Sequence, residues 1–151
     1  MASRENRTYL GIDYGARRIG LAKSDPTGLI ASPLTTLEVK SAADALKKLS
    51  AVISEYSPDG LVFGYPLHDS GEKSDKCREV DAFIKRLAAE YGGPIYRVDE
   101  GHSSREAVSI IHAHGKQAGR NKKLIDRLAA VVILQRFLDE QPDQSHGRSQ
   151  S

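Results

Sequence analysis

Three acidic side chains occupy positions where a globular domain usually carries apolar residues. Asp13 lies near the end of a run of β-forming residues that begins at Thr8, although aspartate is depleted in strands. Glu100 follows a short predicted strand at 95–98, and Asp126 shares a helical row with apolar side chains. Carboxylates that converge on one point raise each other's pKa, and hard divalent cations remove that penalty. The three acids are therefore candidate ligands for Mg²⁺ or Mn²⁺.

Such a site predicts a reaction as well as a cofactor. Two divalent ions, roughly 4 Å apart, recur in enzymes that cut phosphodiester bonds, because one activates water and the other stabilises the leaving oxygen. Gly11 and Gly15, on either side of Asp13, leave room for a ligand to approach the backbone. We interpret Asp13, Glu100 and Asp126 as both the metal ligands and the catalytic residues of a divalent-metal-dependent endonuclease, with Asp13 between the two ions.

Each acid also has an ordinary structural interpretation. Asp13 could cap the turn after its strand. Asp99 and Glu100 could form a solvated pair before a helix N-terminus, and Asp126 could interact favourably with the dipole of its own helix. Spacing does not show that the acids meet, because this requires the first strand, the strand that carries Arg97 and the start of the last helix to be adjacent.

The elements that position these acids follow a regular order. Three consecutive strands predict an antiparallel meander, and Pro33 in the third indicates an edge strand or a bulge. Helices and short strands then alternate, which favours an α/β fold with a mixed five-stranded sheet flanked by helices, compatible with an RNase H-like fold. The predicted elements are strands at 8–14, 19–24 and 29–37, a helix at 42–56, a buried strand at 61–64, a helix carrying 80–91, a strand at 95–98, a helix from Ser103 to about 115, and a last helix at 122–139.

The composition favours one folded domain. The chain has 151 residues, of which 39% are hydrophobic and 28% charged, which is sufficient for a core. We predict a flexible N-terminus at 1–7, a folded domain at 8–140 and a disordered tail at 141–151. The single cysteine excludes an intramolecular disulfide and a thiolate zinc cluster. Because no apolar run approaches the roughly 20 residues of a membrane span, we expect a cytoplasmic protein without a membrane partner.

The basic residues are clustered, although the net charge is only +2. The segment 115–127 carries five basic residues and one acid, and Arg17 and Arg18 lie in the turn after the first strand. Lysine and arginine that neutralise phosphates provide affinity for nucleic acid of any sequence. We predict that Arg17, Arg18, Lys122 and Lys123 hold a nucleic-acid backbone, and a solvated charge run is the plain alternative.

Four segments closely resemble the motifs of one bacterial protein family, in the same order and at plausible spacing. They are Gly11–Gly15, Val62–Leu67, Asp99–Ser104 and Asp126–Gln135. The family is YqgF/RuvX, RNase H-like proteins associated with Holliday junction resolution and with pre-16S rRNA processing. The resemblance spans roughly residues 9–138. It implies that residues 8–140 form an RNase H-like nuclease domain in which Asp13, Glu100 and Asp126 converge.

The chain departs from this family at one motif. The Asp-Glu pair of the family usually continues with an arginine and an apolar residue, where this sequence has Gly101 and His102. The metal-ligand assignment stands because Glu100 is present, but the role of the arginine needs another residue. Our hypothesis is that Arg105 or His102 takes this role toward the nucleic acid.

Several alternatives stay open. The resemblance implies both 5′-end processing of pre-16S rRNA and cleavage of a four-way DNA junction, and the latter needs two active sites and hence a homodimer. A non-catalytic RNase H-like nucleic-acid-binding module is the alternative to an enzyme. The pattern Gly11-x-Asp13-x-Gly15 also resembles the first phosphate motif of actin-like ATPases, but those proteins need two such domains and this chain has room for one.

Overall fold

The computed structural model describes residues 7–99 and 122–140. The elements are β1 Tyr9–Asp13, β2 Arg18–Ser24, β3 Ala31–Glu38, α1 Ala42–Tyr56, β4 Gly60–Gly64, α2 Asp75–Ala88, β5 Ile95–Val98 and α3 Lys122–Glu140. Their order confirms the predicted one. The predicted helix from Ser103, the predicted tail at 141–151 and all but Arg7 of the predicted flexible N-terminus lie outside the described residues. None of the described helices is long and apolar enough to cross a membrane.

The strands form one mixed five-stranded sheet in the order β3-β2-β1-β4-β5. β1, β2 and β3 make the predicted antiparallel meander, whereas β1, β4 and β5 run parallel. Every residue of β4 is buried, as expected of a strand covered on both faces. The carboxyl ends of β1, β4 and β5 and the start of β2 therefore meet at the same edge of the sheet.

Alternation along β1 directs its side chains to two separate cores. Leu10 and Ile12 pack with residues of α1 and α2, whereas Tyr9 packs with Phe137 of α3 on the opposite face. Asp13 has the same parity as Tyr9, so it lies on the α3 face of the sheet. Helices on both faces of a mixed sheet confirm the predicted α/β architecture.

Two local features of the structure follow from the residue types at their positions. Pro33 lies in the edge strand β3 opposite Ala22, next to a shift of register, so the strand has both the edge position and the irregularity that proline favours. At the start of α1, the Ser41 hydroxyl accepts a hydrogen bond from the backbone N–H of Asp44 at 3.1 Å. This cap satisfies one of the unpaired N–H groups at the helix N-terminus.

Two glycines bring α3 close to the sheet. A Cβ atom added to Gly20 would lie 2.0 Å from the backbone oxygen of Asp126, and one added to Gly11 would lie 2.6 Å from the Cβ of Leu134. The backbone of α3 therefore rests directly on β1 and β2. The interpretation that Gly11 leaves room for a ligand is wrong, because the helix fills that space.

Gly20→Ala should strongly destabilise the protein. The added methyl group would meet helix backbone, which cannot move aside like the end of a flexible side chain, so α3 must shift. We expect a loss of at least about 3 kcal/mol in the free energy of unfolding, the upper part of the range for overpacking. Chemical denaturation measures it, with Gly92→Ala as the matched control, since a Cβ at Gly92 would have no atom within 4 Å. Equal stabilities of the two variants would contradict the close packing of α3.

Candidate active site at the carboxyl end of the central strand

A cleft of about 300 Å³ opens where β1 ends. Asp13 and Asp126 both line it, although one ends the first strand and the other lies in the last helix. The other walls are the turn from Tyr14 to Arg18 and the first turn of α2 at Lys76. The structure thus brings together two of the three predicted acids.

One backbone contact sets the two acids side by side. In the antiparallel pairing of β1 and β2, Asp13 lies directly opposite Gly20. The main chain of α3 at Asp126 rests on that same glycine. Because directly opposite residues in antiparallel strands are neighbours roughly 5 Å apart, the strand acid and the helix acid share one corner of the sheet.

The carboxylate of Asp13 is held in an unfavourable environment. Burial raises its pKa from 3.8 to about 6, because the charged form loses solvation. The positive charge of Lys76 opposes this rise, and the negative charge of Asp126 adds to it. A carboxylate that is costly to ionise and close to a second one is the arrangement that a hard cation stabilises.

Asp126 is buried as the apolar stripe predicted. Its exposed fraction is 9%, and Ala130 and Ile133 on the same stripe are buried too. Its carboxylate oxygen Oδ2 accepts a hydrogen bond from Nε of Arg18 at 2.5 Å. Because Asp126 lies beyond the first turn of α3, interaction with the helix dipole does not explain it. A buried carboxylate needs such a partner or a cation.

The third predicted acid, Glu100, lies outside the described residues. The described chain reaches Asp99 directly after β5, at the edge of the sheet where β1 also ends. There the backbone N–H of Tyr65 donates to the carbonyl oxygen of Val98 at 2.9 Å, which ties the end of β5 to the loop after β4. Within 7–99 and 122–140 there is no group of three potential metal ligands.

The two predicted arginines of the first turn have different environments. Both line the cleft, but Arg17 is exposed whereas Arg18 is half-buried and paired with Asp126. Arg17 is therefore placed to meet a large anionic ligand at the mouth of the cleft. Arg18 can contact such a ligand only if its ion pair with Asp126 is replaced by another cation.

The predicted lysines at the start of α3 lie outside the walls of the cleft. Lys122 and Lys123 are both exposed, and Nζ of Lys123 lies 2.8 Å from Oε2 of Glu38 at the end of β3. This surface pair leaves their predicted contact with nucleic acid untested. Arg105 lies outside the described residues, so its proposed substitution for the family arginine stays a prediction.

Sequence reasoning missed Lys76, which lines the cleft from the α2 side. A signal was present, because Lys76 is the second residue of a helix capped by Ser74. Cations are disfavoured in the first turn of a helix, where unpaired N–H groups carry partial positive charge.

Sequence reasoning also missed an ion-pair network beyond the cleft. Asp81 of α2 accepts hydrogen bonds from the Tyr65 hydroxyl at 2.8 Å, from Nζ of Lys73 at 3.1 Å and from Nε of Arg97 at 2.8 Å. These partners come from the loop after β4 and from β5. The network therefore fixes the chain that follows β4 against the end of β5, next to the segment that continues to Glu100.

The sheet order, with a central strand ending in an aspartate and a last helix packed across it, defines an RNase H-like domain. The RuvC of T. thermophilus in complex with a Holliday junction substrate has the same fold, with a TM-score of 0.56 and 20% identity over 88% of this chain and 94% of that chain. The Fowlpox virus resolvase in complex with Holliday junction DNA gives a TM-score of 0.55 and 11% identity, over 87% of this chain and 97% of that chain.

Sequence relatives define the family. The model of the family RuvX, described as Holliday junction resolvase, matches residues 7–140, so the chain belongs to the RuvX family. Three relatives named "Putative pre-16S rRNA nuclease" come from Syntrophus aciditrophicus, Crocosphaera subtropica and Chlorobium luteolum, with identities of 38%, 40% and 41%. The alignments cover 86%, 90% and 87% of this chain and 87%, 95% and 93% of the relatives. Family membership confirms the resemblance inferred from the four segments.

Asp13→Asn should stabilise the metal-free protein at neutral pH. Because folding raises the pKa of Asp13 from 3.8 to about 6, the stability that this group contributes is complete below about pH 4 and is lost as the pH rises through about 6. Asparagine has no charge to desolvate, so the variant should gain up to about 3 kcal/mol above about pH 6 and nothing below about pH 4. Denaturant unfolding in EDTA across this pH range measures the difference.

Asp25→Asn is the control of opposite sign. Hydrogen bonds from the Thr27 hydroxyl and the backbone N–H of Ile30 lower the pKa of Asp25 to about 2, so its charged form stabilises the fold. Its replacement should reduce stability above about pH 4. If Asp13→Asn also reduced stability in EDTA at neutral pH, Asp13 would not carry the desolvation cost described above.

Arg18→Met should destabilise the protein when no divalent ion is present. The variant leaves the buried carboxylate of Asp126 without its partner, and we expect a loss of about 1–2 kcal/mol, less than for a fully buried pair because Arg18 is 34% exposed. The exposed Arg17→Met is the matched control and should be nearly neutral. Adding Asp126→Asn to Arg18→Met should restore most of the stability in EDTA, and failure to do so would contradict the coupling of the two residues.

Proposed function

We propose that this protein is a divalent-metal-dependent endonuclease that hydrolyses phosphodiester bonds of structured nucleic acid. The observation that carries the proposal is the meeting of Asp13 and Asp126 in one cleft, although they come from opposite ends of the chain. The family description and the names of the relatives share this activity, since both denote nucleases. Glu100, which comes directly after Asp99 in the sequence, is proposed as the third carboxylate.

The donor set fits Mg²⁺ or Mn²⁺. Asp13 and Asp126 offer only oxygen atoms, which hard cations prefer, and the described part of the cleft has no histidine or cysteine that would favour zinc. Bound divalent ions would supply activation of the attacking water and stabilisation of the leaving oxygen. Two ions are proposed, and Asp13, Asp126 and Glu100 would hold them.

The residues of the chain would provide binding and orientation. Asp13 and Asp126 are held on rigid elements, a central strand and a helix packed directly on the sheet, which fixes their separation. Arg17 at the mouth of the cleft would contact the phosphate backbone. Arg18 would contact it once it is released from its ion pair with Asp126. Lys122 and Lys123 would extend this basic surface along the start of α3.

We propose pre-16S rRNA as the first substrate to test. Relatives that are 38–41% identical to this chain over most of their length are named "Putative pre-16S rRNA nuclease". A four-way DNA junction is the second, because the family model is described as Holliday junction resolvase. Resolution of a junction needs two symmetric cuts and therefore a homodimer. The mass of the protein in solution, alone and with each substrate, distinguishes the two modes.

Asp13→Asn should abolish cleavage while the variant still folds and binds nucleic acid. The amide keeps the size of the carboxylate but loses the charge that divalent ions require. Cleavage of a labelled precursor rRNA fragment and a labelled four-way junction, with Mg²⁺ or Mn²⁺, compares the wild type with the variant. Measurable metal-dependent cleavage by Asp13→Asn would contradict the proposed site.

Calorimetric titration with Mn²⁺ separates an enzyme from a non-catalytic binding module. The wild type should bind Mn²⁺, and Asp13→Asn should bind it at least about tenfold more weakly, as loss of a ligand requires. Absence of binding to the wild type, or equal binding to both proteins, would favour the module.

A further inference from the structure

Lys76 combines an unfavourable position in its helix with a place in the cleft. It is the second residue of α2, where the helix N-terminus repels a cation, whereas Asp75 beside it is the kind of residue that this position favours. A lysine at this point lowers the intrinsic stability of the helix. We therefore expect the ammonium group of Lys76 to interact with a group outside the helix.

The charge of Lys76 faces the cleft rather than its own helix. The side chain is half-buried, while Asp75 and Arg78 are exposed and pair with each other at 3.1 Å. Nζ of Lys76 lies 6.0 Å from the ring centroid of Tyr14, and both side chains line the cleft with Asp13. None of the ion pairs within 7–99 and 122–140 involves Lys76, so no carboxylate of these residues occupies its ammonium group.

The two half-buried cations of the cleft, Arg18 and Lys76, are therefore not equivalent. Arg18 is paired with Asp126 on the α3 side, whereas Lys76, on the α2 side, lines the cleft with both carboxylates but forms no ion pair with any carboxylate of residues 7–99 and 122–140. A lysine near two carboxylates opposes the binding of a metal cation by Coulomb repulsion. The positive charge of Lys76 would favour binding in this cleft only if an anion binds there together with the metal.

We propose that Lys76 is a catalytic residue whose ammonium group binds a non-bridging oxygen of the phosphate that is cleaved. The inference rests on the proposed nuclease function. In the reaction, a bond forms between phosphorus and the oxygen of water, and the bond between phosphorus and the 3′-oxygen breaks. One proton of the water ends on the 3′-oxygen, which leaves a 3′-hydroxyl and a 5′-phosphate. Lys76 stays protonated and stabilises the charge that builds on the non-bridging oxygens.

Lys76→Met tests this role in the full-length protein. On whichever labelled substrate the wild type cleaves, precursor rRNA fragment or four-way junction, kcat/KM should fall about 100-fold, the typical effect of removing one stabilising donor. Lys76→Arg should recover part of the loss. Lys85→Met is the matched control, because Lys85 is exposed in the last turn of the same helix, and its activity should stay within about twofold of the wild type.

Two further measurements distinguish catalysis from a structural role. Calorimetric Mn²⁺ binding to Lys76→Met should be as tight as in the wild type or tighter, because a repulsive charge is gone. The midpoint of thermal unfolding should stay within about 2 °C, because the lost attraction to Asp13 and the relieved repulsion at the helix N-terminus oppose each other.

Three outcomes would overturn the role of Lys76. The first is a loss of activity below about tenfold in Lys76→Met. The second is a loss accompanied by weaker Mn²⁺ binding or by a lower unfolding midpoint, since Lys76 would then act through the fold or the metal site. The third is a wild type that cleaves neither substrate, which overturns the nuclease function itself, whereas the first two leave it standing.

Discussion

The candidate site is built on two carboxylates that lie together in one partly buried cleft. Asp13 is expensive to ionise there, and Asp126 is buried beneath the helix that carries it. Two half-buried cations from other elements act on them, Arg18 through a direct ion pair with Asp126 and Lys76 on Asp13 at longer range, and the exposed Arg17 also lines the cleft. Under the proposed function, a divalent ion would bind the carboxylates, and Arg18 and Lys76 would then be available to a phosphate.

The separation of the two acids is fixed by backbone contacts, not by the acids themselves. Gly20 lies opposite Asp13 in the sheet and directly beneath the main chain of Asp126. Gly11, two residues before Asp13 in β1, allows the same close approach of α3 at Leu134. Side chains at these positions would lift α3 and move one carboxylate away from the other. The proposed catalysis by these carboxylates would tolerate little such movement, which the close-packed backbone prevents.

Much of this arrangement could be predicted from residue patterns. The helical row placed Asp126 among apolar residues, and this is confirmed. Alternation along β1 puts Asp13 on the face of Tyr9, and Asp13 lines the same cleft as Asp126. The edge position of Pro33 and the cap at Ser41 are local effects and followed from local sequence. These features depend on periodicity and on short-range chemistry, which a single sequence carries.

Features that depend on tertiary contacts were not predictable in the same way. The role of Gly11 was misinterpreted because glycine permits the approach of either a ligand or a helix, and only the fold decides between them. The pairing of Lys123 with Glu38 joins α3 to the end of β3, which no local pattern indicates. Lys76 was recognisable only as a cation in an unfavourable place. Its place in the cleft depends on the start of α2 lying next to the end of β1, which is a tertiary contact.

Anomalous diffraction from crystals grown with Mn²⁺ tests most directly whether Asp13 and Asp126 together hold divalent cations, as we propose. We predict an anomalous peak at metal-ligand distance, roughly 2 Å, from carboxylate oxygens of both residues, with the guanidinium group of Arg18 displaced from Asp126. Manganese bound elsewhere, or an intact pair between Arg18 and Asp126 at Mn²⁺ concentrations that support cleavage, would contradict it.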